Sequence, residues 1–117
     1  MDGADGFVYT TDWSGIAVVR QRMHWVVAEA ISAAAALVVA TGDTEYDTWY
    51  RTWWDYAAGH LIAPDGSWRH ELDPTNRPAA TVWPGRPDLY HSIHATLLPR
   101  LPLAPSAATA IAQGLLR

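Results

Sequence analysis

Two histidines three residues apart, His91 and His94, follow a rigid Pro/Gly-rich stretch in the run from Trp83 to Pro99. On a helix that spacing puts both on one face. Imidazole gains and loses its proton nearest neutral pH, so a histidine held at a loop-to-helix junction among aromatic residues is a candidate for proton transfer. As a metal site the pair falls short: two ligands are too few, and no nearby acid completes a set. The competing structural reading is a histidine whose ring nitrogens are satisfied at a helix start. A second candidate is Glu29, the one acid in a long apolar stretch, one turn after Trp25. A carboxylate there is costly to bury alone, so either an arginine neutralises it or it faces a polar cavity. His24 reads as packing beside Trp25, and His60 and His70 as exposed loop or strand residues.

The elements that must position these side chains can be read from periodicity. Residues 24–40 are apolar nearly all round, which predicts a helix buried on most sides, with Gly42 as the residue just past its end. Residues 45–59 place Tyr46, Trp49, Tyr50, Trp53, Trp54, Ala57 and Ala58 at helical spacing on one side, and Asp47, Thr48, Arg51, Thr52 and Asp55 on the other. A buried helix followed by a half-buried one is the pattern of a two-layer helical array. Before them, Phe7–Thr10 and Ile16–Val19 flank the turn residues Asp12 to Gly15 and predict a hairpin. The first six residues read as a frayed end. Residues 67–72 alternate enough for a strand between turns at Pro64–Gly66 and Asp73–Asn76. Asp88 can cap a helix that runs to about Leu98, where Pro99 stops it. Ser106 can cap a last helix, 107–116, with Ile111, Ala112 and Leu115 facing inward. These pieces cover only part of the first helix, so the chain should leave a large apolar patch, the mark of an interface or of further structure.

The chain has 117 residues, half of them hydrophobic, which suits one modest domain with a packed core. A net charge of −4 argues against a nucleic-acid partner. All eight positive charges are arginine, and there is no cysteine, which excludes disulfides, thiolate metal sites and a cysteine nucleophile. No leader opens the chain and the apolar run 30–40 is too short to span a bilayer, so the expectation is a soluble, cytoplasmic protein without a membrane partner. Seven tryptophans and five tyrosines against one phenylalanine suit surfaces that stack on sugar rings, though each ring also suits a helical core.

Three stretches resemble one family. Trp83-Pro-Gly-Arg-Pro-Asp-Leu-Tyr90-His91, followed by Ala95-Thr-Leu-Leu-Pro-Arg-Leu-Pro102, resembles the C-terminal motif of the N-acylglucosamine 2-epimerase superfamily. His24-Trp25-Val-Val-Ala-Glu29-Ala30 resembles its Trp-x-x-x-Glu-Ala helix, and Gly66-Ser-Trp68 with Glu71-Leu-Asp73 resembles a loop between its last helix pairs. The nearest subgroup is the aldose–ketose isomerase branch, of the D-mannose and sulfoquinovose isomerase type. The resemblance implies an all-α fold, the C-terminal third of an (α/α)6 barrel in which inner and outer helices alternate and short β-hairpins join them. It implies a whole barrel of roughly three times this length, so residues 1–117 would form a partial domain, completed by an N-terminal part or by self-association.

The same resemblance implies the chemistry: a monosaccharide substrate, no cofactor, no metal, and proton transfer between C1 and C2 through a cis-enediolate. His91 takes the role of general acid/base, Trp25 of a stacking wall, and Glu29 of a polar partner for the sugar or for a catalytic group. Trp83 and His94 are further substrate-binding candidates. The family's other histidine and its sugar-binding arginine match nothing in these residues, which implies that the chain alone is inactive. One departure stands out: the isomerase branch commonly has glutamine three residues after the histidine, where this chain has His94. Two other functions compete. A glycoside hydrolase of the six-hairpin type needs paired carboxylates, for which Asp65, Glu71 and Asp73 are the available acids. A non-catalytic carbohydrate-binding fragment needs only the aromatic surface.

Overall fold

A computed structural model describes residues 5–117. The frayed end expected for the first six residues lies mostly outside the described residues, and where it can be checked it fails. Gly6 is buried, with the Tyr56 ring where a side chain would be, and the Asp5 carbonyl accepts a hydrogen bond from Asn76 Nδ2 at 3.0 Å.

The hairpin forms as β1 (Thr10–Thr11) and β2 (Ala17–Val19), antiparallel. Asp12 builds its turn by accepting from the Ser14 and Ile16 backbone N–H groups, both at 2.9 Å. A three-stranded antiparallel sheet follows in the order β3 (Arg22–Met23), β4 (Glu71–Leu72), β5 (Pro78–Ala79). Its register pairs Arg22 with Leu72 and Met23 with Glu71. The next pair along is His24 and His70, and the His24 N–H donates to the His70 carbonyl at 3.1 Å. That bond serves the first turn of α1 (His24–Thr41), which has no side-chain cap. Helix α1 ends as expected: Gly42 sits at φ 72° and its N–H donates to the Val38 carbonyl at 2.8 Å, a left-handed closure that glycine makes without strain.

Helix α2 (Thr44–Tyr56) starts on Asp43, whose carboxylate accepts from the Glu45 N–H, and gives way to a π-helical turn over Ala57–Leu61. Helix α3 (Tyr90–Leu97) is extended by a 3-10 turn over Leu98–Arg100. Helix α4 (Ala107–Ala112) is shorter than expected. Gly114 at φ 72° closes it, with the Leu115 N–H donating to the Ala110 carbonyl, so only Ala110 is buried. Ile111, Ala112 and Leu115, expected to face inward, are exposed.

The core lies where α1 meets α2, the π turn, β4 and α3: Val27, Ala28, Ile31, Tyr56, Ala57, Leu61, Leu72 and Ala95. Helix α1 is less enclosed than its composition suggested. His24, Val27, Ala28, Ile31, Ser32 and Ala34 are buried, but Leu37 and Val39 are exposed, because α2 and α3 cover only one side. By length and composition alone α1, which is longer than the apolar run 30–40, would reach across a membrane core; here its buried side packs on protein and Glu29 stands exposed. The α2 stripe is also less buried than its spacing implied. Trp49 and Ala58 are exposed, and Tyr56, outside the stripe, is buried instead.

Candidate functional site

Helices α1 and α3 bring three of the sequence candidates together. His91 Nδ1 lies 2.8 Å from Glu29 Oε1, and the Trp25 ring lies 6.0 Å from the His91 ring, tilted by 37°. Trp25 and Glu29 share one face of α1 because they are four residues apart. The first turn of α3 delivers His91 to that face. Asp88 fixes the start of this turn by accepting from the Tyr90 N–H at 2.9 Å and the His91 N–H at 3.4 Å. Burial pushes the Asp88 carboxyl up, but these two bonds, with His91 and His24 nearby, hold it below the usual range.

Of the two expectations for Glu29, neutralisation by an arginine or a polar surrounding, the arginine is not what stands beside it. The Glu29 side chain is half exposed, and its partner is a histidine. An ionised carboxylate only accepts hydrogen bonds, so His91 Nδ1 carries the proton and donates it to Glu29. That leaves Nε2 as the ring nitrogen that Glu29 does not engage, on a side chain about a quarter exposed.

The two histidines of the opening motif separate. His94 packs on Tyr90 with ring centres 4.1 Å apart, and makes neither a ring contact nor a hydrogen bond with His91, Glu29 or Trp25. Trp83 is half exposed, and its indole makes no ring contact among the described residues. Its backbone N–H instead donates to Glu71.

Two histidines that sequence reasoning set aside are drawn in. His24 is fully buried, its ring centre 6.1 Å from His91 and 5.2 Å from His70. His70 is partly buried rather than exposed, and so is His60, which packs 5.0 Å from Tyr56. Burial, reinforced by His70, pulls the His24 midpoint below the ordinary histidine value. The signal lay in the strands: once β3 pairs with β4, the antiparallel register places residue 70 opposite residue 24. Among the described residues no three His, Asp or Glu side chains are spaced to hold a metal ion, even with Glu29 beside His91.

The acids a hydrolase would need are committed to structure. Glu71 is buried and accepts from Thr81 N and Oγ1, Val82 N and Trp83 N at 2.6 to 3.2 Å. Burial pushes it up, and the Thr81 hydroxyl with the three backbone N–H groups outweighs that and leaves it below its ordinary range. Asp65 is held low chiefly by Ser67, and Asp73 chiefly by Thr75. None is the raised acid that glycoside cleavage requires. A groove of about 770 Å³ runs between the Asp65–Trp68 loop and the Asp88, Leu89, Ser92 and Ile93 side of α3, and His91, Glu29 and Trp25 are not among its lining residues.

The N-acylglucosamine 2-epimerase (GlcNAc 2-epimerase) family model matches residues 1–95. A D-mannose isomerase of Thermobifida fusca is 60% identical over 114 residues, which cover 96% of this chain and 28% of that protein. One of Pseudomonas cannabina pv. alisalensis is 54% identical over 113 residues, covering 96% and 27%. Among solved structures, a D-mannose isomerase superposes with a TM-score of 0.73 at 29% identity, over 81% of this chain and 25% of that one. The cellobiose 2-epimerase of Spirochaeta thermophila superposes with a TM-score of 0.56 at 24% identity, over 71% and 22%, and speaks to the fold alone. The chain thus spans little more than a quarter of the curated relatives it matches. Trp25, Glu29 and His91 all lie inside the residues the family model matches, and the chain belongs to the N-acylglucosamine 2-epimerase family.

Proposed function

We propose that this chain supplies one half of the acid–base machinery of an aldose–ketose isomerase, acting on a free monosaccharide such as mannose to give fructose. The observation that carries the proposal is the 2.8 Å pairing of Glu29 with His91 Nδ1 beside Trp25. With Nδ1 engaged, His91 Nε2 takes the proton from C2 of the open-chain aldose. The electron pair left at C2 forms the C1–C2 double bond as the C1 carbonyl π pair moves onto O1, which gives a cis-enediolate. The imidazolium, steadied by Glu29, returns the proton to C1 while O2 gives up its proton, O1 takes one up through the acid–base group outside this chain, and the C2 carbonyl of the ketose forms. Trp25 offers an aromatic wall for the sugar ring, and Glu29 acts through His91 rather than on the sugar. His94 and Trp83 are assigned to binding from further out, without a chemical role. No cofactor is required, because the redox change is internal to the sugar.

On this reading the chain is part of an (α/α)6 barrel, with α1 and α3 in the inner ring and α2 in the outer. The exposed apolar side chains of Leu37, Val39, Leu89 and Ile93 are then the surface on which further helices pack. A soluble, cytoplasmic enzyme of sugar metabolism completes the proposal. A transplant tests it. This chain replaces the matching 28% of the Thermobifida fusca relative, and the hybrid is assayed for conversion of mannose to fructose. Turnover in the hybrid and none by the 117 residues alone is the expected pair of results. A folded hybrid without turnover would refute the assignment.

A further inference from the structure

Beneath His91 lies a second imidazole that the proposed reaction does not use. His24 is fully buried, and among the described residues neither of its ring nitrogens, nor Nδ1 of His70, has a hydrogen-bond partner. Its ring stands edge-on to His91 at 76° and to His70 at 70°. One side chain therefore joins three elements: α1, which also carries Trp25 and Glu29; the lead-in to β4, which carries His70; and α3, which carries His91. A phenylalanine would fill such a slot with no polar atoms to desolvate. An imidazole fills it only while uncharged.

We infer that His24 is a positioning residue for His91, an acid-releasable joint that seats the His91 ring against Glu29 and Trp25 while neutral and unseats it when charged. The groups that face it favour the neutral state. His70 and His91 each become a like charge on protonation, while the His70 backbone and Asp88, before α3, draw the other way and are outweighed by burial and the like charges. On its own side the chain carries Arg22 in β3 and Glu29 in α1, and Glu29 is already committed to His91. A proton on His24 therefore meets a buried site beside a ring that takes up charge itself.

The sign follows from linkage. The folded midpoint of His24 lies below the unfolded value of 6.5, so the unfolded chain binds more protons as pH falls. Stability is whole above pH 6.5 and is lost below it, until the folded midpoint is reached. One such group raises the unfolding constant by up to tenfold per pH unit within that window. The seating itself stands apart from the proposed proton transfer; only its consequence for turnover, an acid limit not set by His91, rests on that reading.

The test uses the 117-residue chain with 15N-labelled histidine, titrated by imidazole NMR, alongside urea unfolding from pH 7.5 to 5. We expect the His24 nitrogens to remain neutral through pH 6.5, and the His91 Nδ1 proton signal to be lost in step with His24 charging. We expect His24→Phe to keep the His91 signal at lower pH and to remove up to tenfold per pH unit of the acid-induced rise in the unfolding constant. His24→Gln, which keeps polar atoms but cannot take a charge, should flatten the same slope. Equal slopes in the wild type and both variants, or a His24 that charges above pH 6.5 with His91 still seated, would overturn the inference. If the seating behaves as stated and the hybrid enzyme is nonetheless inactive, the isomerase reading fails and the joint stands.

Discussion

Replacing Glu71 with alanine should unfasten the segment that leads from β5 to α3. Four donors converge on that carboxylate: Thr81 Oγ1 at 2.6 Å, and the backbone N–H groups of Thr81, Val82 and Trp83 at 2.9 to 3.2 Å. A hydrogen bond to a charged group contributes about 1.5–3 kcal/mol, so the gross total is large. Two terms reduce it: Glu71 gives up its own hydration, and Thr81 and Trp83 are exposed enough for water to replace the lost acceptor. A net cost of about 3 kcal/mol is the expected remainder. A chain of this length is stable by about 6–17 kcal/mol, so the loss is a substantial share. With a slope of about 2 kcal/mol per molar urea, the unfolding midpoint at pH 7 falls by about 1.5 M. Tryptophan fluorescence during urea unfolding reads this directly. Glu71→Gln keeps one carbonyl acceptor and should lose about half as much. The folded Glu71 midpoint lies below its ordinary 4.5, so its stabilisation is whole above pH 4.5 and disappears as pH falls through the folded value. The penalty of Glu71→Ala must therefore shrink toward pH 3. An unchanged midpoint at pH 7, or a penalty of equal size at both pH values, would refute the reasoning.

Three further outcomes follow. Gly6→Ala should lower the melting temperature by about 10 °C, a cost of about 2–3 kcal/mol by calorimetry: Gly6 sits at φ 110°, its new Cβ would lie 2.6 Å from Tyr56 Cζ, and Tyr56 is tied to Asn76 Oδ1 at 2.7 Å. Ile31→Ala, at the fully buried centre of α1, should cost about 3 kcal/mol in urea unfolding. Glu29→Gln in the hybrid enzyme should reduce kcat by about 10²-fold with KM little changed, because the amide still accepts from His91 Nδ1 but no longer steadies the imidazolium; a variant at full kcat would show that Glu29 does not act through His91.

Local chemistry was legible in the sequence, and non-local pairing was not. Helix α1 begins and ends within a residue of its expected bounds because a long, mostly apolar run meets a glycine stop. The hairpin turn and the start of α3 follow in the same way from Asp12 and Asp88, whose carboxylates cap their own backbone. The burial of α2 was misread because a stripe of aromatics says which side faces inward but not how much protein is there to meet it; one neighbouring helix leaves Trp49 outside. The last helix is shorter than its pattern predicts because Gly114 takes up the left-handed conformation that closes it. At the site, Trp25, Glu29 and His91 stand out by motif, whereas the histidine partner of Glu29 and the joining of His24 to His70 depend on contacts more than forty residues apart, and the structural duty of Glu71 on donors ten to twelve residues on, past a two-residue strand pair. No local pattern encodes those.

The central claim is that His91 moves the sugar proton, and isotope exchange tests it most directly. Mannose or fructose is incubated in D2O with the hybrid enzyme and with its His91→Ala variant, and deuterium at the exchanging carbons is measured by NMR. The account predicts uptake with the hybrid and none with the variant. Full exchange by a folded His91→Ala enzyme would contradict it.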